Sequence, residues 1–525
     1  MYLDNGKTEV KAAIVAVTVI FSPGEKPDEP FAQHSWSFDH RGSGLSSGCS
    51  EACNFERMTS LQGTRGRVLE TDTGFLIGIF VGVLSSCPTL LANCSLESTP
   101  APTLLSILTD ATHEPGVNGR VSDLARAVQA RLAGNIAPPI TGNGSLPLVW
   151  KIIEKIFASG RQFTLVDLAL KIVTSELLSQ DILMGLNQYQ TSRLNLLHNR
   201  NPVLAYQPLY PRKAAQDVPY SVAEETLRAA IYIQDDLTRR KGELKPVLLV
   251  PGSAIPAGSM FQSNLAKLQK AIPEVSMAWV NVPSASLGDV QVNSEYIAYA
   301  INYITALSES NLTVIAWSQG GLNTQWAFKY WPSTRAVVTD LIAISPDFHG
   351  TVETTLVCPI FSNVVCTPAI WQQAWHAGFV RALRRVGGDS AYVPTTTVYS
   401  SYDQIVQPMS GKQASGILQG SPVADVSNNH LQTICRDRPG GGLYTHEGVL
   451  YSSLAWALIA DALQHDGPGD PSRLNLTNVC GQWLPPQLGM EDVKRTEGLL
   501  LIAVAEVLKY KPKIFQEPEV ADYAW

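Results

Sequence analysis

Residues 311–321, NLTVIAWSQGG, decide how this chain is to be read. A run of apolar and β-branched residues ends in Trp317, and Ser318 follows at once. Gln319 and two glycines come next, opening the helical pattern LNTQWAF. A plain turn explains the glycines but not the buried run before them. A sharp strand-to-helix bend, which lifts a serine hydroxyl above a sheet, explains the whole stretch. Such a bend needs small residues two places before and two places after the serine, and these are Ala316 and Gly320. Glycine is usual at the first place. Alanine is the next smallest residue and still lets strand and helix approach.

Working outward, KPVLLVPG (245–252), VSMAWVNV (275–282), DLIAIS (340–345) and TTTVYS (395–400) repeat the texture of a short strand buried on both faces. Helical patterns lie between them. In SEYIAYAINYITAL, Ile297, Ala300, Ile301, Ile304 and Leu307 line one face. Alternating strands and helices predict an α/β fold with a mostly parallel central sheet over 204–525, whose ligand site lies beyond the carboxyl ends of the strands.

Upstream, 96–203 reads as a helical pre-region. It has one helical patch at 121–134 and longer patterns over 147–196. Its bland role is packing against the main domain, and its sharper one a propeptide or a cap over a site. Residues 1–95 read as an N-terminal extension with a signal-peptide-like core at 75–92, FLIGIFVGVLSSCPTLLA. Residues 1 to about 73 are either a genuine extension or a stretch upstream of the true start, for which Met58 is a candidate, and the signal-peptide-like core would then be removed. Segment 22–73 shows no sustained period. A membrane anchor at 75–92 is disfavoured by Ser85, Ser86 and Pro88 and by a length marginal for a span.

An apolar fraction of 45% with 16% charge belongs to a globular chain with a large core. The net charge of −7 and the lack of a long basic run argue against a nucleic-acid partner. The eight cysteines form no C-x-x-C pair and no Cys/His cluster with zinc spacing, so no metal site is expected. Sequons at Asn93, Asn143, Asn311 and Asn475 fit a secreted, extracellular glycoprotein, expected to be a monomer.

A serine hydroxyl becomes a good nucleophile when a histidine takes its proton and a carboxylate orients that histidine. In α/β-hydrolases the three follow in the order Ser, Asp or Glu, His. Asp403 lies just past the TTTVYS strand, in a loop closed by Pro408. His446 sits after a glycine-rich loop and before a helix, where a mobile base belongs. His349 is the main rival, although it precedes Asp403. His376 and His465 fall in helical patterns, and His430 in a polar loop.

The motifs PVLLVPGS, AWSQGGLNTQWAF, PDFHGTV, AIWQQA and VPTTTVYSSYDQIVQP, with the histidine loop, resemble in sequence and order those of the fungal lipase B family over about 204–515. The resemblance implies an α/β-hydrolase fold with Ser318 as nucleophile, Asp403 as acid and His446 as base. It implies an oxyanion hole from Ser253, where the family has threonine, and the backbone N–H of Gln319. Trp317 would floor a small pocket beside the serine, and Asp347 and Gln373 would line the acyl side. Cys435 and Cys480 match a family bridge. Cys358 and Cys366 match none, but lie close together in a lid-like segment that a bond between them would stiffen. The expected protein is a secreted serine lipase or carboxylic ester hydrolase. It would act through an acyl-enzyme on triacylglycerols or related esters, at a lipid–water interface and without cofactor. An esterase or acyltransferase of small esters is the alternative, and a non-catalytic binding protein on the same scaffold a more distant one.

Overall fold

Successive residues of the central strands face opposite sides of the sheet, and here both sides are covered. In strand Lys245–Val250, Val247 and Leu249 join one hydrophobic core while Leu248 and Val250 join the other. Leu312–Trp317 sends Ile315 and Trp317 to the first core and Val314 and Ala316 to the second. Val338–Ile344 divides Ile342 and Ile344 from Leu341 and Ala343 in the same way. This is why these strands read as unbroken apolar runs.

The structure is a computed structural model. It describes residues 16–19, 65–70, 76–81 and 146–157, and from 164 onward all but 176, 191, 207, 235–236, 238–242 and 358–364. The chain divides into two compact units, Met1–Thr99 and Pro100–Trp525. In the first, strands β1 (Ala16–Val19), β2 (Arg65–Glu70) and β3 (Leu76–Val81) form an antiparallel sheet in the order β1-β3-β2. Strand β2 falls within the stretch that showed no period. It pairs residue by residue with the apolar β3, so its conformation comes from its partner and not from its own pattern. Strand β3 occupies the start of the 75–92 core; the rest of that core, and the helical patch at 121–134, lie outside the described residues.

In the second unit, β4 (Ile231–Ile233), β5 (Lys245–Val250), β6 (Val275–Val280), β7 (Leu312–Trp317), β8 (Val338–Ile344), β9 (Thr395–Tyr399) and β10 (Val426–His430) form a seven-stranded sheet. Its order is β10-β9-β8-β7-β5-β6-β4, and only β4 runs antiparallel to its neighbour. The expected α/β fold with a mostly parallel sheet is thus the fold observed. Helices α1 (Leu146–Phe157), α2 (Leu165–Thr174) and α3 (Gln180–Gln190) cover one face. Helices α4 (Val290–Ser308) and α5 (Gln319–Tyr330) cover the other. Helices α6 (Ser453–Gln464), α7 (Met490–Glu497) and α8 (Leu499–Lys509) join the face of α1–α3.

The described helices of the pre-region therefore share a core with the sheet instead of standing apart. Trp150 of α1 stacks on Trp483 at 5.2 Å between ring centroids, and meets Tyr444 and Tyr451 edge-on at 5.5 and 5.7 Å. Those two tyrosines bracket His446 in sequence. The bond between Cys435 and Cys480 closes a 45-residue separation around the same loop, with a Cα–Cα distance of 5.1 Å. No described helix is long and apolar enough to cross a membrane.

Trp150→Ala leaves a cavity beneath the histidine loop. It is expected to destabilise the protein by about 3–5 kcal/mol in urea unfolding, as large aromatic truncations do. A loss below about 1 kcal/mol would mean that α1 only rests on the surface.

Candidate active site

Ser318 stands between β7 and α5 at φ 56° and ψ −131°, a backbone conformation that a side-chain-bearing residue rarely adopts. Three contacts hold it there. Its N–H donates to Ile344 O at 3.0 Å, and its carbonyl accepts from Gly321 N at 2.9 Å. The strand β5 also presses close from the side. A Cβ on Gly320 would lie 2.5 Å from Val250 O, and one on Gly252 would lie 2.7 Å from Ser318 Cβ. The small residue two places after the serine is required by a backbone oxygen. Ala316, fully buried, fits at the place two before.

Asp403 and His446 arrive on separate loops and meet below the surface. Nδ1 of His446 lies 2.7 Å from Asp403 Oδ2, with both side chains buried. The other carboxylate oxygen, Oδ1, accepts from the N–H of Ile405 at 2.9 Å and of Val406 at 2.7 Å. The carboxylate is thus fixed by its own loop, and it fixes the ring. Burial alone would disfavour the imidazolium. The charge of Asp403 and its hydrogen bond outweigh burial and hold His446 above the ordinary histidine value. The histidine backbone is gripped as firmly. Its N–H donates to Gln404 Oε1 at 2.8 Å, and its carbonyl accepts from Trp317 Nε1 and Ser345 Oγ, each at 3.1 Å.

Ser318 and His446 line one cavity, together with Ser253, Trp317 and Gln373. Its other walls are mainly aliphatic, among them Leu165 of α2 and Leu500, Ala503 and Val507 of α8. The Ser318 hydroxyl does not hydrogen-bond to His446 here. Such contacts are often open in free enzymes and tighten around substrate. The Ser253 hydroxyl donates to Gln319 Oε1 at 2.7 Å and shares a contact of 3.0 Å with Gln373 Nε2. Asp347 differs from its expected place. It is fully buried, absent from the cavity lining, and neither carboxyl oxygen has a partner. Burial pushes it up to about 7, against a smaller pull from His446.

The rival histidines lie elsewhere. His349 sits 3.7 Å from Asp389 and is absent from the cavity lining, and burial followed by the Arg384 charge lowers it to about 4. His376 is exposed in a turn instead of a helix. The His465 ring pairs with Asp461, and that of His430 lies between Ser401 and Thr433. Among the described residues no cluster of three or more His, Cys, Asp or Glu could hold a metal. Asn311 and Asn475 are exposed, whereas Asn143 lies outside the described residues. Cys366 is disulfide-bonded, and Cys358 lies outside the described residues.

Over 284 residues the chain is 34% identical to lipase B of Pseudozyma antarctica, a match covering 53% of this chain and 79% of that protein. The chain belongs to the lipase B family. A crystal structure of Aspergillus fumigatus lipase B is 55% identical to it and superposes with a TM-score of 0.73, covering 80% of this chain and 100% of that one. No protein-family model matches. Membership in the lipase B family makes the protein an α/β-hydrolase of the lipase and esterase class, with ester substrates.

Four residues around this lipase B site escaped the sequence reading: Ser345, Gln404, Glu447 and Glu497. Gln404 stands inside the quoted YDQIVQP motif, where its place beside Asp403 was the available signal. Glu497, at the end of α7, is fully buried. Its Oε1 accepts from Thr445 at 2.8 Å and Tyr451 at 2.6 Å, while Oε2 has no partner. Burial, and then the neighbouring Glu447, raise it to about 8.

A carboxyl raised in the folded state contributes stability fully below its ordinary value of 4.5 and loses it as pH rises to about 8. Glu497→Gln should remove that loss. The variant's unfolding free energy, relative to wild type, is expected to rise between pH 4.5 and 8 in denaturant titrations. An unchanged difference across that window would contradict the assignment.

Proposed function

We propose that this lipase B family member cleaves triacylglycerols or related esters through an acyl-enzyme on Ser318. In this reading His446 Nε2 takes the serine proton as Oγ attacks the ester carbonyl, and then gives it to the leaving alcohol oxygen. Asp403 keeps the proton on Nδ1, so that Nε2 is free to accept, and stabilises the imidazolium. Water activated by the same histidine then releases the acid. The backbone N–H groups of Ser253 and Gln319, with the Ser253 hydroxyl, would receive the oxyanion. That hydroxyl must turn from Gln319 Oε1 to do so.

The observation that carries this reading is the buried Asp403–His446 pair of 2.7 Å, opening on the same cavity as a serine held at positive φ. An isolated strained serine or an isolated ion pair would not imply chemistry. The aliphatic walls favour an acyl chain over a polar group. Trp317 and Gln373 would shape the alcohol and acyl sides respectively. Asp347 would act from behind the wall, through charge instead of contact. The disulfide of Cys435 with Cys480 and the exposed sequons at Asn311 and Asn475 support secretion as a glycoprotein. Residues 1–95 would be removed before the mature enzyme acts, or lie in part upstream of the true start.

Hydrolysis of p-nitrophenyl butyrate and of emulsified triolein by residues 96–525 tests the reading. Ser318→Ala is expected to lower kcat at least about 10³-fold on both, and Ser253→Ala about 10²–10³-fold. Activity on butyrate alone would assign an esterase. Equal activity of wild type and Ser318→Ala would remove the serine from its role.

A further inference from the structure

Glu447 follows His446 directly, is buried, and lines the cavity that Ser318 and His446 share. A charged side chain there is out of keeping with the aliphatic walls, since burying an unpaired carboxylate is costly. Its placement is specified by one neighbour. The Gln404 side chain donates from Nε2 to Glu447 Oε2 at 2.8 Å, while its Oε1 accepts the His446 N–H, also at 2.8 Å. One amide therefore ties the carboxyl to the histidine backbone, and that amide adjoins Asp403 in sequence.

We propose that Glu447 is a second carboxylate for His446, a positioning residue that shares with Asp403 the charge the imidazole gains when it takes the Ser318 proton. This rests on the triad reading above. Asp403 acts through a hydrogen bond to Nδ1 and sets the ring's orientation. Glu447 acts through space and sets how readily the ring carries charge.

The surrounding ionisable groups agree. Three carboxylates act on His446 through charge: Asp403 from the loop after β9, Asp347 from the loop after β8, and Glu447 from the histidine's own loop. Behind them stand Glu497 of α7 and the hydroxyls of Tyr444 and Tyr451. At the cavity wall, α2 and α8 present apolar residues. Burial holds Glu447 above the ordinary glutamate value, and the His446 charge followed by the Gln404 hydrogen bond offsets part of that rise. Glu497 keeps its proton to about pH 8. A neutral Glu497 spares Glu447 a like charge and leaves it free to ionise in response to the imidazolium.

The test is the pH dependence of kcat/KM on p-nitrophenyl butyrate for wild type, Ser318→Ala, Glu447→Gln and Glu447→Asp. Glu447 favours the protonated imidazole, so removing its charge should move the acid limb to lower pH, by roughly half a unit or more. The plateau rate should fall several-fold with KM little changed. Glu447→Asp, which keeps the charge, should hold the wild-type limb. An unmoved limb in Glu447→Gln would overturn the proposal, as would a limb in Glu447→Asp that moves as far as the uncharged change predicts. The second comparison decides alone should Glu447→Gln not fold. Loss of the underlying triad reading looks different: Ser318→Ala would then match wild type at every pH.

Discussion

A serine forced to positive φ, with strand β5 pressed against its turn, is the constraint on which the site depends. Such a backbone conformation costs on the order of 1–3 kcal/mol and persists only when its surroundings over-determine it. Here the surroundings are the two cores on either side of β7, the hydrogen bond from Ser318 N to Ile344 O, and the contact of Gly320 with the backbone of β5. Nothing at the turn can relax without moving a central strand. The hydroxyl is therefore delivered to one point, and loops from neighbouring strands need only reach that point.

They reach it through backbone anchoring more than through the chemistry of the side chains themselves. Asp403 is gripped by two N–H groups of its own loop, and the His446 carbonyl by Trp317 and Ser345. Trp317 thus has a double role. Beyond lining the cavity, it ties the histidine loop to the strand that carries the serine, with its ring centroid 4.8 Å from that of the imidazole. Below that loop, Trp150 fills the space between Trp483, Tyr444 and Tyr451. The helical pre-region is thus part of the support for the His446 loop, and its α2 adds Leu165 to the cavity wall.

Much of this was legible in the chain, and for stated reasons. Strands buried on both faces leave continuous apolar runs, and these marked β5 to β9. The bend at Ser318 left small residues at fixed offsets. Chain order singled out Asp403, and a glycine-rich approach singled out His446. What stayed hidden works at long range. Ser345 and Gln404 act by gripping the backbone of a residue far along the chain, which no local pattern records. Glu447 and Glu497 carry the letters of surface residues, and only packing shows them buried. Strand β2 owes its conformation to its partner, and Trp150 reads as one more apolar residue on a helix face. Asp347 was placed by family likeness, which carries over a position but not whether its side chain lines the cavity.

In the mechanism proposed, Ser318 is the one nucleophile and His446 activates it. The most direct test is to treat the protein with a p-nitrophenyl alkylphosphonate, which phosphonylates an activated serine, and to map the adduct by peptide mass spectrometry. One adduct per chain, on the peptide that holds Ser318 and absent from His446→Ala, is the expected result. An adduct on another residue, or ester hydrolysis that continues with Ser318 fully modified, would contradict it.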